Sequence, residues 1–404
     1  MAVRFHAVLR SRPALVALLV LGLAALLAVN YLRPVPAVSA TQTLPASLTR
    51  GTAPVLPWPD RGQGAVGAED AGVLAASPGA KPQPIASVAK VMTALVVLEA
   101  KPLQRGETGP SLAITPAEVA EYEQARANEE SVIEVRDGEQ LTEYEALQAL
   151  LLPSANNIAS LLARWSLGSL DAFVGRMNAR AKELGLTQTK FADASGVSPQ
   201  TVSVPADLVR LGLAAMGNAV VADIVAQPEA MLPVAGRVYN VNEVLGSDGI
   251  VGVKTGNVPQ VGAVYLAAAT HQLSGGRRLL LFAAVQGLPT RKDSTDSARA
   301  LLAVLRQSLQ VQRIVSKDQV VGRYAAPWGA NADIVSAADL DLLVLPGTAI
   351  RARLAARPLQ APASPGPALG SLRVQAGDGG GEVPVLLGQD LEPATSLWRL
   401  TRLG

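Results

Sequence analysis

The chain has 404 residues, 49% apolar and 17% charged, with a formal net charge of +2. That length holds two or three domains with a sizeable core. The near-balanced charge, without a basic stripe interleaved with aromatics, argues against nucleic acid as a partner. No cysteine is present, which removes disulfides, thiolate nucleophiles and cysteine metal sites; no metal-ligand cluster is visible and no cofactor is expected.

Arg4, Arg10 and Arg12 precede an apolar run, Ala14 to Val29, that extends to Leu32. This is near the length needed to span a bilayer, and the basic flank belongs in the cytoplasm. Residues 1–33 are therefore read as a signal or transmembrane segment, with the rest of the chain extracytoplasmic, either anchored to the cytoplasmic membrane or secreted. Val38-Ser39-Ala40 offers a cleavage site for the secreted alternative, and the anchor is the preferred reading. Residues 34–60, with prolines at 34, 36, 45, 54 and 57, read as an extended linker.

The next unit, residues 61–310, opens with a hairpin signal, Gln63–Ala68 and Val73–Ser77 around Glu69-Asp70-Ala71-Gly72. Apolar residues at 88, 91, 92, 95 and 96 then predict an amphipathic helix beginning after Pro84. Ser87 falls in its first turn, and Lys90 stands three residues on over the same face. A hydroxyl beside an amine can lose its proton to it if burial or another cation lowers the amine's pKa. Such a Ser-x-x-Lys tetrad arises by chance on the order of once in a chain like this.

Ala100–Arg136 reads as polar and irregular, its glutamates at 118, 121, 123, 129, 130 and 134 forming a solvated face. Thr142-Glu143-Tyr144-Glu145 resembles a capping box, and the helix it starts is stopped by Pro153. Ser154-Ala155-Asn156 thus falls in a turn before a second helix, Asn157–Trp165, where two polar side chains can project into a groove. Helices over Leu170–Leu184 and Ala206–Met216 complete a helical block, residues 100–225, expected to lack strands of its own.

Strand character returns with Gly249–Val253, which leads into Lys254-Thr255-Gly256, and with Val261–Thr270 and Arg277–Gln286, joined across Ser274-Gly275-Gly276. Asp293–Leu309 reads as a helix. Lys-Thr-Gly is the sharper signal, with a chance expectation of about a few hundredths. An ammonium, a hydroxyl and a glycine at a strand edge suit a ligand with a carboxylate and a peptide bond. The predicted class is α+β: an antiparallel sheet covered by helices, with an inserted helical block. Residues 311–404 read as a small all-β domain. Histidine is confined to His6, in the leader, and His271, between strands, so a nucleophilic serine must rely on lysine rather than a Ser-His-Asp triad.

Ser87-x-x-Lys90, Ser154-x-Asn156 and Lys254-Thr255-Gly256 stand in the order of the motif set of penicillin-recognising serine enzymes. Longer stretches resemble one branch, the D-alanyl-D-alanine carboxypeptidases, or low-molecular-weight penicillin-binding proteins: residues 85–93, 152–157, 177–185, 242–246 and 249–256. The resemblance covers roughly residues 60–310 and, more weakly, the C-terminal domain through Trp328-Gly329. It implies a serine-β-lactamase/transpeptidase-like domain and a serine D,D-carboxypeptidase acting on peptidoglycan stem peptides, with β-lactams as covalent inhibitors. It further implies that Ser87 is the nucleophile and Lys90 its base. Ser154 and Asn156 would relay a proton and hold the substrate amide. Lys254, Thr255, Gly256 and Asn257 would bind substrate, with backbone N–H groups of Ser87 and Asn257 as the oxyanion hole and Arg291 near the terminal carboxylate. Two departures from the pattern are Ala155, where glycine is usual and which adds one methyl near the groove, and Asn257, both bearing on fine specificity more than on the chemistry. A serine β-lactamase is the enzyme alternative, disfavoured by the missing Glu-x-x-Leu-Asn stretch. A cell-wall binding protein on an inactive fold is the non-enzymatic one.

Overall fold

The computed structural model describes residues 6–258, 262–273 and 275–402. Arg4, Val261 and Ser274, named above, lie outside them.

The first helix, α1 (His6–Leu32), contains an 18-residue stretch, Leu15–Leu32, of mean hydropathy 2.5 with none of it buried against the protein. Chain beyond it enters the C-terminal unit at once. Ala40–Gln42 pairs with Val320–Ala325, and Ser47–Thr49 pairs with Ala349–Ala356, so both edges of a seven-stranded sheet come from this region. Val38 is buried in that unit's core and exchanges backbone hydrogen bonds with Leu359. The linker expected over 34–60 is thus shorter. Proline content concealed strands of only three residues, whose stability comes from partners some 270 to 310 positions away.

A second sheet positions the site. Its strands are β1 (Gln63–Ala68), β2 (Gly72–Ala76), β3 (Ile250–Val258), β4 (Gly262–Gln272) and β5 (Arg278–Leu288), antiparallel in the order β3-β4-β5-β1-β2. Both faces are covered, and the two-residue period assigns each side chain to one. Val66, Tyr265, Ala267, Leu281 and Ala283 face one core, shared with Leu301, Leu302 and Leu305 of α9 (Arg291–Ser308). Ala65, Val264, Leu266, Ala268, Phe282 and Ala284 face the other, which also holds α2 (Ala89–Ala100). Residues 89–98 of α2 are buried on every side. The one-sided stripe expected there was an underestimate, since a helix wrapped by neighbours is apolar all round.

Between β2 and β3 lies the helical block: α3 (Pro116–Ala127), α4 (Glu143–Leu151), α5 (Asn156–Leu167), α6 (Leu170–Glu183), α7 (Pro205–Gly217) and α8 (Ala219–Val225). Thr142 and Glu145 form the expected capping box ahead of α4. Helix α3, in the stretch read as irregular, has its own box from Thr115 and Glu118, with Pro116 in the first turn. It buries only Tyr122 and Ala125, too narrow a stripe to register as helical periodicity. The block also contains short ladders, Ser111–Ala113 with Gln140–Thr142 and Val202–Ser203 with Gln83–Pro84. These two- and three-residue pairings lack the length that makes a strand legible.

Candidate active site

Ser87 sits in a 3-10 turn, Ala86–Val88, that runs directly into α2. Ala86 is held at φ 46°, a left-handed conformation unusual for alanine. Two glycines permit this turn to be closely packed. A β-carbon on Gly196 would lie 1.8 Å from the Ala86 carbonyl oxygen, and one on Gly256 would lie 2.8 Å from the Ala86 β-carbon and 3.1 Å from the Ser87 nitrogen. The end of β3 is thereby laid against the start of α2, which makes Gly256 a packing requirement.

Lys90, one turn on, is fully buried. Its Nζ lies 2.8 Å from Ser87 Oγ, 2.6 Å from Asn156 Oδ1 and 3.0 Å from the Ser195 carbonyl oxygen. Burial, and next the charge of Lys254, hold its pKa well below the ordinary lysine value, against the opposing pull of Asp193 and Glu130. A neutral amine beside the hydroxyl is able to accept its proton.

The opposite rim comes from the turn between α4 and α5. Ser154 adopts φ 69° and is 4% exposed, with no hydrogen-bond partner for its Oγ among the described residues. Asn156 opens α5; its backbone N–H donates to the Ser131 carbonyl at 2.7 Å. Ala155 is fully buried in the core and does not line the groove. The methyl expected near the groove is thus placed in the core instead: the left-handed residue of this turn is Ser154, and Ala155, at φ −67°, directs its methyl inward.

The strand-side wall is β3. Lys254 is 1% exposed and its Nζ donates to the Thr255 carbonyl at 3.2 Å. Burial, and then the Arg291 charge, bring its pKa down to about 7. Thr255, Gly256, exposed Asn257 and exposed Arg291 line the same groove as Ser87, Ser154 and Asn156, a cleft of about 570 Å³. The predicted residues thus converge, with Lys254 buried beneath the cleft on the face of β3 that, like Gly256, turns toward α2 and the 3-10 turn. His271 lies at the far end of β4, paired with Leu279 and away from the cleft.

Three contributors escaped the sequence reading. Asp193 accepts from the backbone N–H groups of Ser195, Gly196 and Val197 at 3.2, 2.7 and 3.0 Å, which shapes the loop that turns the Ser195 carbonyl toward Lys90. Asp-x-Ser-Gly is recognisable turn chemistry, but nothing in it reveals a neighbour 105 residues away. The third, Glu130, lines the cleft and accepts a hydrogen bond from Asn156 Nδ2 at 2.7 Å.

The family model described as D-alanyl-D-alanine carboxypeptidase, Peptidase S11, matches residues 65–282. The chain belongs to this family. It is 36% identical over 205 residues to the D-alanyl-D-alanine carboxypeptidase DacB2 of Mycobacterium tuberculosis, covering 49% of this chain and 65% of that protein. It is 34% identical over 132 residues to a D-alanyl-D-alanine endopeptidase of Escherichia coli, covering 33% of this chain and 39% of that one. The chain therefore spans less than two thirds of either relative. Among solved structures, penicillin binding protein 5 from Haemophilus influenzae superposes with a TM-score of 0.62 at 19% identity, over 84% of this chain and 99% of that one. The carboxypeptidase DacD from Francisella tularensis gives 0.64 at 17% identity, over 85% and 96%. At these identities the two structures establish the fold, in both the helix-and-sheet unit and much of the C-terminal unit.

Proposed function

We propose that this S11-family chain is a serine D,D-carboxypeptidase that removes the terminal D-alanine from peptidoglycan stem peptides through an acyl-enzyme on Ser87. The observation that carries the reading is the buried, depressed Lys90 amine 2.8 Å from Ser87 Oγ. Ser87 Oγ attacks the carbonyl of the penultimate D-alanine as its proton passes to Lys90. The resulting oxyanion is held by the backbone N–H groups of Ser87 and Asn257, donors fixed before reaction by the contact between β3 and the 3-10 turn. Breaking the C–N bond requires a proton on the departing amine, supplied through the unpartnered Ser154 hydroxyl from Lys90. Water then attacks the ester, with Lys90 again taking a proton, and Ser87 is released. Thr255 and Arg291 receive the terminal carboxylate, and Lys254 adds positive potential from beneath the cleft.

An extracytoplasmic position is part of this proposal, since the substrate lies outside the membrane and α1 is long and apolar enough to cross it. The test is release of free D-alanine from a pentapeptide ending in D-Ala-D-Ala, together with covalent labelling by a fluorescent penicillin. Ser87→Ala is expected to abolish both, and undiminished D-alanine release by that variant would overturn the assignment.

A further inference from the structure

Glu130 sits at the end of α3 with a backbone built to aim it. Its N–H donates to the Ala125 carbonyl at 3.0 Å and that of Glu129 donates to Arg126 at 3.0 Å, the paired bonds of a Schellman turn. Glu129 takes the left-handed position, φ 58°, where glycine is the usual occupant. Beyond the turn, Ser131 accepts the backbone N–H of Asn156 and Glu130 Oε2 accepts its side-chain Nδ2, both at 2.7 Å. The end of α3 thus holds the first residue of α5 by main chain and side chain together. Among the described residues Glu130 makes no ion pair, although its carboxylate is only half-exposed and lines the cleft.

Asn156 lies between two groups of opposite hydrogen-bonding character. Lys90 approaches Oδ1 at 2.6 Å and a carboxylate, which only accepts, approaches Nδ2. With a carboxylate on one side the amide cannot reverse without placing its oxygen against Glu130 and its NH₂ against Lys90. We propose that Glu130 is a positioning residue of the acylation site, fixing the Asn156 amide and, through it and its own charge, the state of Lys90. This rests on the reading of Ser87 and Lys90 given above.

The charged groups facing Lys90 are Lys254 from β3, Asp193 from the loop after α6, and Glu130 from the turn after α3. Of these, Lys254 favours the neutral amine, whereas Asp193 and Glu130 favour the ammonium. Attack by Ser87 needs the neutral amine, so acylation rises with pH as Lys90 deprotonates. Removing the Glu130 charge must move that acid limb to lower pH.

The experiment compares full-length wild type, Glu130→Gln and Glu130→Ala by the second-order rate of penicillin acylation from pH 5 to pH 10, with thermal melts run in parallel. Glutamine keeps an acceptor for Asn156 Nδ2 and loses the charge. It is expected to retain the high-pH rate within about threefold, with the acid limb displaced downward by about half a pH unit. Alanine loses both functions and is expected to lower the high-pH rate by about tenfold or more. Profiles superimposable on wild type for both variants would overturn the proposal. So would an equal loss in both with no displacement of the limb, because a merely structural carboxylate would behave that way. Absence of any wild-type labelling would instead overturn the serine acyl-enzyme reading itself.

Discussion

The two walls of the cleft each bury a lysine, and they do so differently. On the helix side, Lys90 has three oxygen neighbours within 3.0 Å, contributed by the 3-10 turn, α5 and the loop after α6. On the strand side, Lys254 is as deeply buried but has, among the described residues, a single acceptor, the Thr255 carbonyl at 3.2 Å. A buried ammonium with unmet donors is costly unless something compensates it. The helix-side wall is complete before substrate arrives. The strand-side wall is left with unspent positive charge, from Lys254 and from exposed Arg291, which in the proposed reaction an incoming carboxylate would complete. In that proposal, catalytic and binding machinery are separated by how fully each is satisfied in the free protein.

Methionine at each position tests that contrast most sharply, because it keeps much of the side-chain volume and removes the charge. Lys90→Met is expected to lower acylation by about 10²–10⁴-fold, the range for loss of a general base. It also leaves the Asn156 and Ser195 oxygens without their donor, so its melting temperature should fall. Lys254→Met should reduce D-alanine release by about one to two decades, from the loss of charge acting on the substrate. Its melting temperature should rise, because an incompletely satisfied buried charge has been replaced by an apolar chain, a change worth about 1 kcal/mol or more. Equal losses of stability in the two variants would erase the distinction between the walls.

The pH dependence of stability sharpens the same point. Folding lowers the Lys254 pKa from 10.5 to about 7. Between these values the unfolded chain binds more protons than the folded one, so stability rises with pH across that window, and the full penalty applies below about 7. Lys90 contributes in the same direction. Thermal melts of the free protein should therefore climb from neutral pH toward pH 10. In Lys254→Met the climb should be shallower, with Lys90 alone remaining. An identical slope in the variant would mean that Lys254 is not the buried cation the geometry describes.

The difference between the walls also governs what could be read from the sequence. Ser87, Lys90, Ser154, Asn156 and Lys254 were legible because short motifs carry them and caps or prolines fix the elements on which they stand. Glu130 was not. It lies in a glutamate-rich stretch whose composition points to solvent, at the end of a helix with two buried side chains, and its relevance arises only from contact with a residue 26 positions away. The Ser195 carbonyl is invisible for a simpler reason: a backbone oxygen has no residue type. In the fold, the strands of the five-stranded sheet were legible as strand-like runs bounded by turn signals. The two edge strands within residues 40–49 did not, because three residues have too little pattern to distinguish a strand from extended linker.

The smallest expected effect belongs to Ala155, the middle residue of the turn that supplies Ser154 and Asn156. Its backbone, φ −67° and ψ 121°, lies where any residue is comfortable, and its methyl is buried in the core with no share of the cleft. Ala155→Gly therefore removes a buried methyl, worth about 0.8 kcal/mol, and adds the backbone entropy of glycine, about 0.5–1 kcal/mol. The expected outcome is a loss of about 1–2 kcal/mol in stability by denaturant unfolding, with acylation and D-alanine release within about twofold of wild type. A larger change in rate than in stability would place the methyl at the cleft after all. It would also mean that the turn's middle residue belongs to the reacting wall rather than to the core behind it.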